Sequence, residues 1–125
     1  MKLEQQVTSL ELSRCLKEIG VKQESLFYWV CHWVNRTPER TFNLFYGKDE
    51  DDTVNEFVSA FTVAELGEML PEGTESHRRD NTWWCILDRR VGRRNVTEAK
   101  KASAEADARA AMLIHLLENK LILPQ

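Results

Sequence analysis

The stretch LFYWVCHWV, residues 26–34, sets two tryptophans, a tyrosine, a phenylalanine, a cysteine and a histidine within nine positions. Aromatic and β-branched side chains suit a pleated, half-buried surface, so the composition predicts a strand over 25–34. Alternation puts Leu26, Tyr28, Val30, His32 and Val34 on one face and Phe27, Trp29, Cys31 and Trp33 on the other. Both faces are apolar. A strand sandwiched between layers reads this way, and so does one whose second face lines a groove. We expect Trp29, Trp33 and most of the stretch to be buried and structural. Cys31 and His32, as strand neighbours, point to opposite faces and cannot readily act together as thiolate and base.

Outward from this strand the punctuation is clear. Toward the N-terminus, Thr8 to Glu11 fits a capping box with Val7 and Leu12 as the hydrophobic staple. Leu10, Leu12, Leu16 and Ile19 give the helix an apolar stripe, and Gly20 stops it. After the strand, Asn35 to Arg40 reads as a turn and Thr41 to Tyr46 as a second strand. KDEDDTVNE, residues 48–56, is a solvated acidic loop; FVSAF, residues 57–61, is a short strand or the entry to a helix. That helix carries a second capping box, Thr62 and Glu65, a staple of Phe61 and Leu66, and Pro71 as its stop. Residues 72–81 read as a loop, TWWCILDRRVG (82–92) as a strand, and residues 93–103 as a loop entering the last helix. That helix shows Ala106, Ala110, Leu113, Ile114 and Leu117 on one face, and LILPQ is expected to pack back on the sheet. The pattern is α+β: one domain over 1–125, with an antiparallel sheet of three to four strands packed by N- and C-terminal helices plus one short helix.

Composition excludes several classes. The chain has 125 residues, 42% hydrophobic and 30% charged, which suits one soluble core. No apolar run reaches the roughly 18 residues of a membrane span, and MKLEQQVTSLELSRCLKE lacks a signal-peptide core, so a cytoplasmic protein with no membrane partner is expected. The three cysteines, Cys15, Cys31 and Cys85, are widely spaced, which argues for reduced thiols rather than a disulfide framework. No CxxC, HxxxH or HExxH spacing occurs, and Asp49 to Asp52 lacks the calcium-loop pattern. No metal, cofactor or catalytic residue is expected, and the sequence points away from an enzyme.

Charge is divided unevenly. Residues 1–76 hold seven Lys/Arg against fourteen Asp/Glu, whereas residues 77–101 hold eight against three. Within that basic block Arg78, Arg79, Arg89, Arg90, Arg93 and Arg94 flank Trp83 and Trp84. Guanidinium groups beside aromatic faces suit phosphates, bases and acidic protein surfaces alike. The candidate binding surface is therefore Arg89, Arg90, Arg93 and Arg94 with Trp83 and Trp84. Only one of the two tryptophans can offer a stacking platform, because strand neighbours face opposite ways. An arginine-decorated strand end is the bland alternative, and the acidic net charge of −3 weighs against a dedicated DNA-binding protein.

AFTVAELGEMLP (60–71), EADARAAMLIHLLENKLI (105–122) and the opening LEQQVTSLELSRCLKEIGVKQESLFYW resemble small uncharacterised bacteriophage and prophage proteins of the phage ABA-sandwich type. Lys120 departs from that pattern, which often has glycine after LLEN. The resemblance implies a sheet between helices and a bacterial host cell, and it carries no catalytic residues. Two functions follow. One is a small phage- or prophage-encoded non-enzymatic binding protein acting on a host or phage protein, such as a defence or nucleic-acid-handling factor. The other is a nucleotide-sequestering or processing protein with an Arg/Trp-lined pocket. A groove where Arg and Trp converge favours the second; a closed core with flat charged faces favours the first.

Overall fold

The computed structural model describes residues 2–48, 51–91 and 93–122, and the side chains of Arg89, Arg90, Val91, Arg94, Asn95 and Val96 lie outside that description. A 3-10 turn, Leu3–Gln5, is followed by α1 (Leu10–Ile19), β1 (Phe27–Val34), β2 (Thr37–Pro38), β3 (Asn43–Tyr46) and β4 (Val54–Ala60). Then come α2 (Val63–Met69), β5 (Thr74–Arg79), β6 (Thr82–Val91), β7 (Arg94–Ala102) and α3 (Glu105–Glu118). The class is α+β. All described pairings are antiparallel, and the strands divide into a four-stranded sheet centred on β1 and a three-stranded meander β5-β6-β7.

The end of the segment 48–56, read as an acidic loop, begins β4 at Val54, and two further segments read as loops, 72–81 and 93–103, contribute β5 and β7. Neither has the alternating apolar residues that reveal a strand, because their outward side chains face water and β5 has no apolar residue at all. Turn geometry organises them. Asp80 and Asn81 both have positive φ, 53° and 62°, as a two-residue type I′ hairpin requires. Asn35 and Arg36 make the equivalent turn between β1 and β2. Aspartate and asparagine tolerate this left-handed backbone better than most side chains.

The core lies between α3 and its neighbours. Ala106, Ala110, Met112, Leu113 and Leu116 are fully or almost fully buried, against Leu16 of α1, Leu66 of α2, and Cys85 and Leu87 of β6. The first cap falls one residue later than its sequence pattern: Ser9, not Thr8, accepts the Leu12 N–H. Thr8 is instead wholly buried and holds three elements together. Its N–H donates to Phe61 O at 2.9 Å, Phe61 N–H donates to Thr8 Oγ1 at 3.0 Å, and Trp29 Nε1–H donates to Thr8 O at 3.0 Å. Thr62 and Glu65 form the second capping box as read.

The opening strand is only partly buried. Tyr28, Val30 and Cys31 are buried and Phe27, Trp29 and His32 half-buried, but Leu26, Trp33 and Val34 are exposed, Trp33 at 43%. Burial of Trp33 is therefore corrected. The end of β1 runs past β3, and the two-residue β2 beside it carries only exposed side chains. A bulge between Cys31 and His32 also breaks the simple alternation there.

Two stability predictions arise from the helices. Lys120 ends α3 in the left-handed region, φ 56°, with Lys120 N–H donating to Leu117 O and Leu121 N–H to Leu116 O. This is a Schellman closure, where glycine avoids a steric cost of about 1–2 kcal/mol. Part of that gain is lost to the freer unfolded chain, so Lys120→Gly should raise the unfolding free energy in urea by about 1 kcal/mol. A lower midpoint for the variant would contradict this cap.

Asp107 accepts the Ser9 N–H at 2.8 Å, joining α3 to the start of α1. Burial pushes its carboxyl above the ordinary aspartate range, against the pull of the Ser9 hydrogen bond and with Glu11 adding to the rise. A raised folded-state pKa favours the protonated form, so its stabilising contribution is full below the unfolded value and is lost as pH rises through the folded one. Asp107→Asn keeps an acceptor and removes the titration. The stability of this variant relative to wild type should increase from about pH 3 to about pH 7. Parallel melting-temperature curves would contradict the assignment.

Candidate functional site

The three-stranded sheet has two unlike faces. Trp83, Cys85 and Leu87 point inward; Cys85 and Leu87 are buried, and Trp83 packs against the same core. Burial pushes the Cys85 thiol up to about 11, with the Arg109 charge pulling against the rise, so it is protonated and a poor nucleophile at neutral pH. Arg109 anchors β5 from below: its Nε–H donates to Ser76 Oγ at 2.7 Å, and Glu105 lies 3.6 Å away. Gly67 permits this, since a Cβ there would stand 2.7 Å from the Arg109 Nη1.

Trp84 and Ile86 turn to the opposite face and line an open groove of about 790 Å³ with His77, Arg79, Thr82, Ala99 and Lys101. Strand register builds it. His77 of β5 and Lys101 of β7 are the two cross-strand neighbours of Trp84, Arg79 pairs with Thr82, and Ala99 pairs with Ile86. Lys101 Nζ lies 5.6 Å from the centroid of the Trp84 ring, a cation–π distance. Arg78 donates from Nη2 to Asn81 Oδ1 at 3.3 Å, tying it to the turn at the groove's end. The result is an aromatic floor with the His77 imidazole on one flank and the Lys101 ammonium on the other.

Along the same face the charge reverses. Glu75, two residues before His77, pairs with Ile86 in register, and its Oε2 meets His77 Nε2 at 3.0 Å. Asp88, two residues beyond Ile86, accepts from Thr97 Oγ1 at 3.4 Å. The face thus runs from a net basic end at the β5–β6 turn, where Arg78, Arg79 and Lys101 outnumber the lining Asp80, through aromatic and apolar, to acidic.

The six residues singled out by sequence are distributed over this sheet. Trp84 forms the groove floor, whereas Trp83 belongs to the core side. Arg93 is exposed in the β6–β7 turn, seven residues of β6 beyond Trp84 at roughly 3.3 Å each. Arg89, Arg90 and Arg94 pair through their backbones with Val96, Asn95 and Val91, and their side chains lie outside the described residues. His77 and Lys101 were not singled out by sequence, and Arg79 was counted in the basic block but left out of the candidate surface. The one legible signal for them was the Asp80–Asn81 pair, which, read as a two-residue hairpin loop, sets the register of β5 against Trp84.

Other chemistry-bearing groups are separately engaged. Cys31 Sγ donates to Glu39 O at 2.7 Å, while the His32 ring packs edge-on to Phe45, 5.7 Å between centroids. The cysteines are unpaired. Among the described residues, no cluster of three or more His, Cys, Asp or Glu is placed to hold a metal ion, and no helix is long and apolar enough to cross a membrane. Asp49 and Glu50 of the acidic run lie outside the described residues. No family model, curated protein or solved structure matches the chain.

Proposed function

We propose that this chain is a small non-enzymatic binding protein, of the phage or prophage kind its sequence resembles, and that it sequesters a nucleotide on the open face of β5-β6-β7. The carrying observation is the groove over Trp84, where an aromatic ring lies between His77 and Lys101 with Arg79 at the end. A base stacks on the indole, a contact worth about 1–3 kcal/mol. The phosphate takes charge-assisted hydrogen bonds from Arg79 and Lys101, with Arg79 able to bind it bidentately. Cys85 points to the core side of β6 and Cys31 lies in the other sheet, so neither thiol reaches a ligand held over Trp84.

Isothermal calorimetry with nucleoside monophosphates at two salt concentrations tests this. Wild type should bind more weakly at higher salt. Trp84→Ala should lose affinity about 5- to 100-fold while its melting temperature stays near that of wild type. Absence of binding by wild type, or equal binding by Trp84→Ala, would refute the proposal.

A second reading, a host or phage protein as partner, is favoured by a different observation: Trp33, Val34, Phe45 and Tyr46 are all exposed on the four-stranded sheet. It predicts that Tyr46→Ser abolishes protein capture in a pull-down from the bacterial host and leaves nucleotide binding unchanged.

A further inference from the structure

We infer that the groove selects a single guanine nucleotide, with the phosphate at the Arg79 end and the Watson–Crick edge of the base at Glu75; this rests on the nucleotide reading above. The polarity of the face carries the argument. Arg78, Arg79 and Lys101 outnumber the single Asp80 carboxylate that also lines the turn end and mark where an anion is favoured, and Glu75 with Asp88 marks where it is repelled. A nucleotide laid on Trp84 therefore has one favourable direction. With its phosphate toward the β5–β6 turn, the base stacked on Trp84 turns its far edge toward Ile86, whose cross-strand neighbour on β5 is Glu75.

A carboxylate accepts hydrogen bonds and donates none. Guanine alone among the common bases offers two adjacent donors on its Watson–Crick edge, N1–H and N2–H, which match the two oxygens of one carboxylate. Adenine and cytosine place a ring lone pair beside their amino group, and uracil flanks its single N–H with two carbonyls; each sets an acceptor against the carboxylate. Glu75 engages His77 through Oε2, and Oε1 has no partner among the described residues. The Glu75 side chain is also 70% exposed, so it is free to reorient toward a base.

The same two acids limit ligand length. A strand continuing from Trp84 toward Arg93 would run its phosphates past Glu75 and Asp88, which repel them. The face also holds one aromatic platform, since Trp83 is on the core side. One nucleotide fits this arrangement better than a track of several.

The test is calorimetric titration of the full chain with GMP, AMP, CMP, UMP and a ten-nucleotide oligothymidylate, repeated on Glu75→Gln. GMP should bind about tenfold or more tightly than AMP and UMP, the discrimination a good bidentate pair supplies. Glu75→Gln should reduce that preference to about twofold or less, through weaker GMP binding and AMP binding at least as tight as in wild type. Equal affinity for all four monophosphates, or an undiminished GMP preference in Glu75→Gln, would overturn the guanine assignment and leave the nucleotide reading standing. Tighter binding of the oligonucleotide than of any monophosphate would overturn the single-nucleotide limit. Absence of heat with every ligand would remove the nucleotide reading itself.

Discussion

Alanine in place of Trp29 should cost roughly 3 kcal/mol of unfolding free energy, whereas alanine in place of Trp33 should cost less than about 1 kcal/mol. The two residues lie four apart on one strand, and their amino-acid type alone does not distinguish them. Trp29 sits where β1 is paired on both edges, with Leu44 and Val58 as its cross-strand partners. Its indole N–H is also satisfied by Thr8 O at 3.0 Å. Truncation there removes apolar contact and leaves the Thr8 carbonyl with only the longer contact from Ser13 Oγ, 3.3 Å. Trp33 lies where β1 has outrun β3, with Pro38 of the two-residue β2 opposite and 43% of its surface exposed. Equal losses for the two variants in urea melts would contradict this division of the strand.

Thr8→Val should cost about 2–3 kcal/mol, a large effect for a change that preserves shape. Thr8 is wholly buried, and its Oγ1 accepts the Phe61 N–H at 3.0 Å and meets Ser13 Oγ at 2.6 Å. Valine fills the same space and accepts nothing, so the Phe61 amide remains buried without a partner at that contact, a loss of about 1–3 kcal/mol. The Ser13 hydroxyl retains Thr8 O, 3.3 Å away, as an acceptor. Amide exchange gives a second readout: Phe61 N–H should be among the amides whose protection falls most. A Thr8→Val protein as stable as wild type, with Phe61 still protected, would show that the node contributes nothing.

Elements announced by apolar periodicity and caps were legible in the sequence. α2, with Thr62, Glu65 and Pro71, and α1, with Gly20, are the clearest. The central strand β1 and the core half of β6 followed from their aromatic and β-branched content. What escaped was specified by pairing rather than by burial. β5 and β7 flank β6 with outward side chains such as His77, Arg79, Thr97 and Lys101, and a strand with a wet face and little apolar content carries no period-2 signal. The missed register has a direct functional consequence. Counting charges along the chain draws the eye to the arginines nearest Trp84 in sequence, yet Lys101, seventeen positions away, is its cross-strand neighbour. Opposite facing of Trp83 and Trp84, by contrast, needed only strand alternation, and the structure assigns Trp84 as the outward one. Thr8 was misread because Thr-x-x-Glu is also the spacing of a cap. Only the contact with Phe61, fifty-three residues away, reveals its buried role.

Amide chemical-shift mapping during a GMP titration tests most directly whether the outward face of β5-β6-β7 is where this protein binds its ligand. Saturable shifts are expected at His77, Arg79, Trp84, Ile86 and Lys101, with an upfield ring-current change at the Trp84 indole protons, and little change along β1 and β3. Shifts confined to β1, β3 and the β1–β2 hairpin, or none at a GMP concentration in large excess over protein, would contradict it.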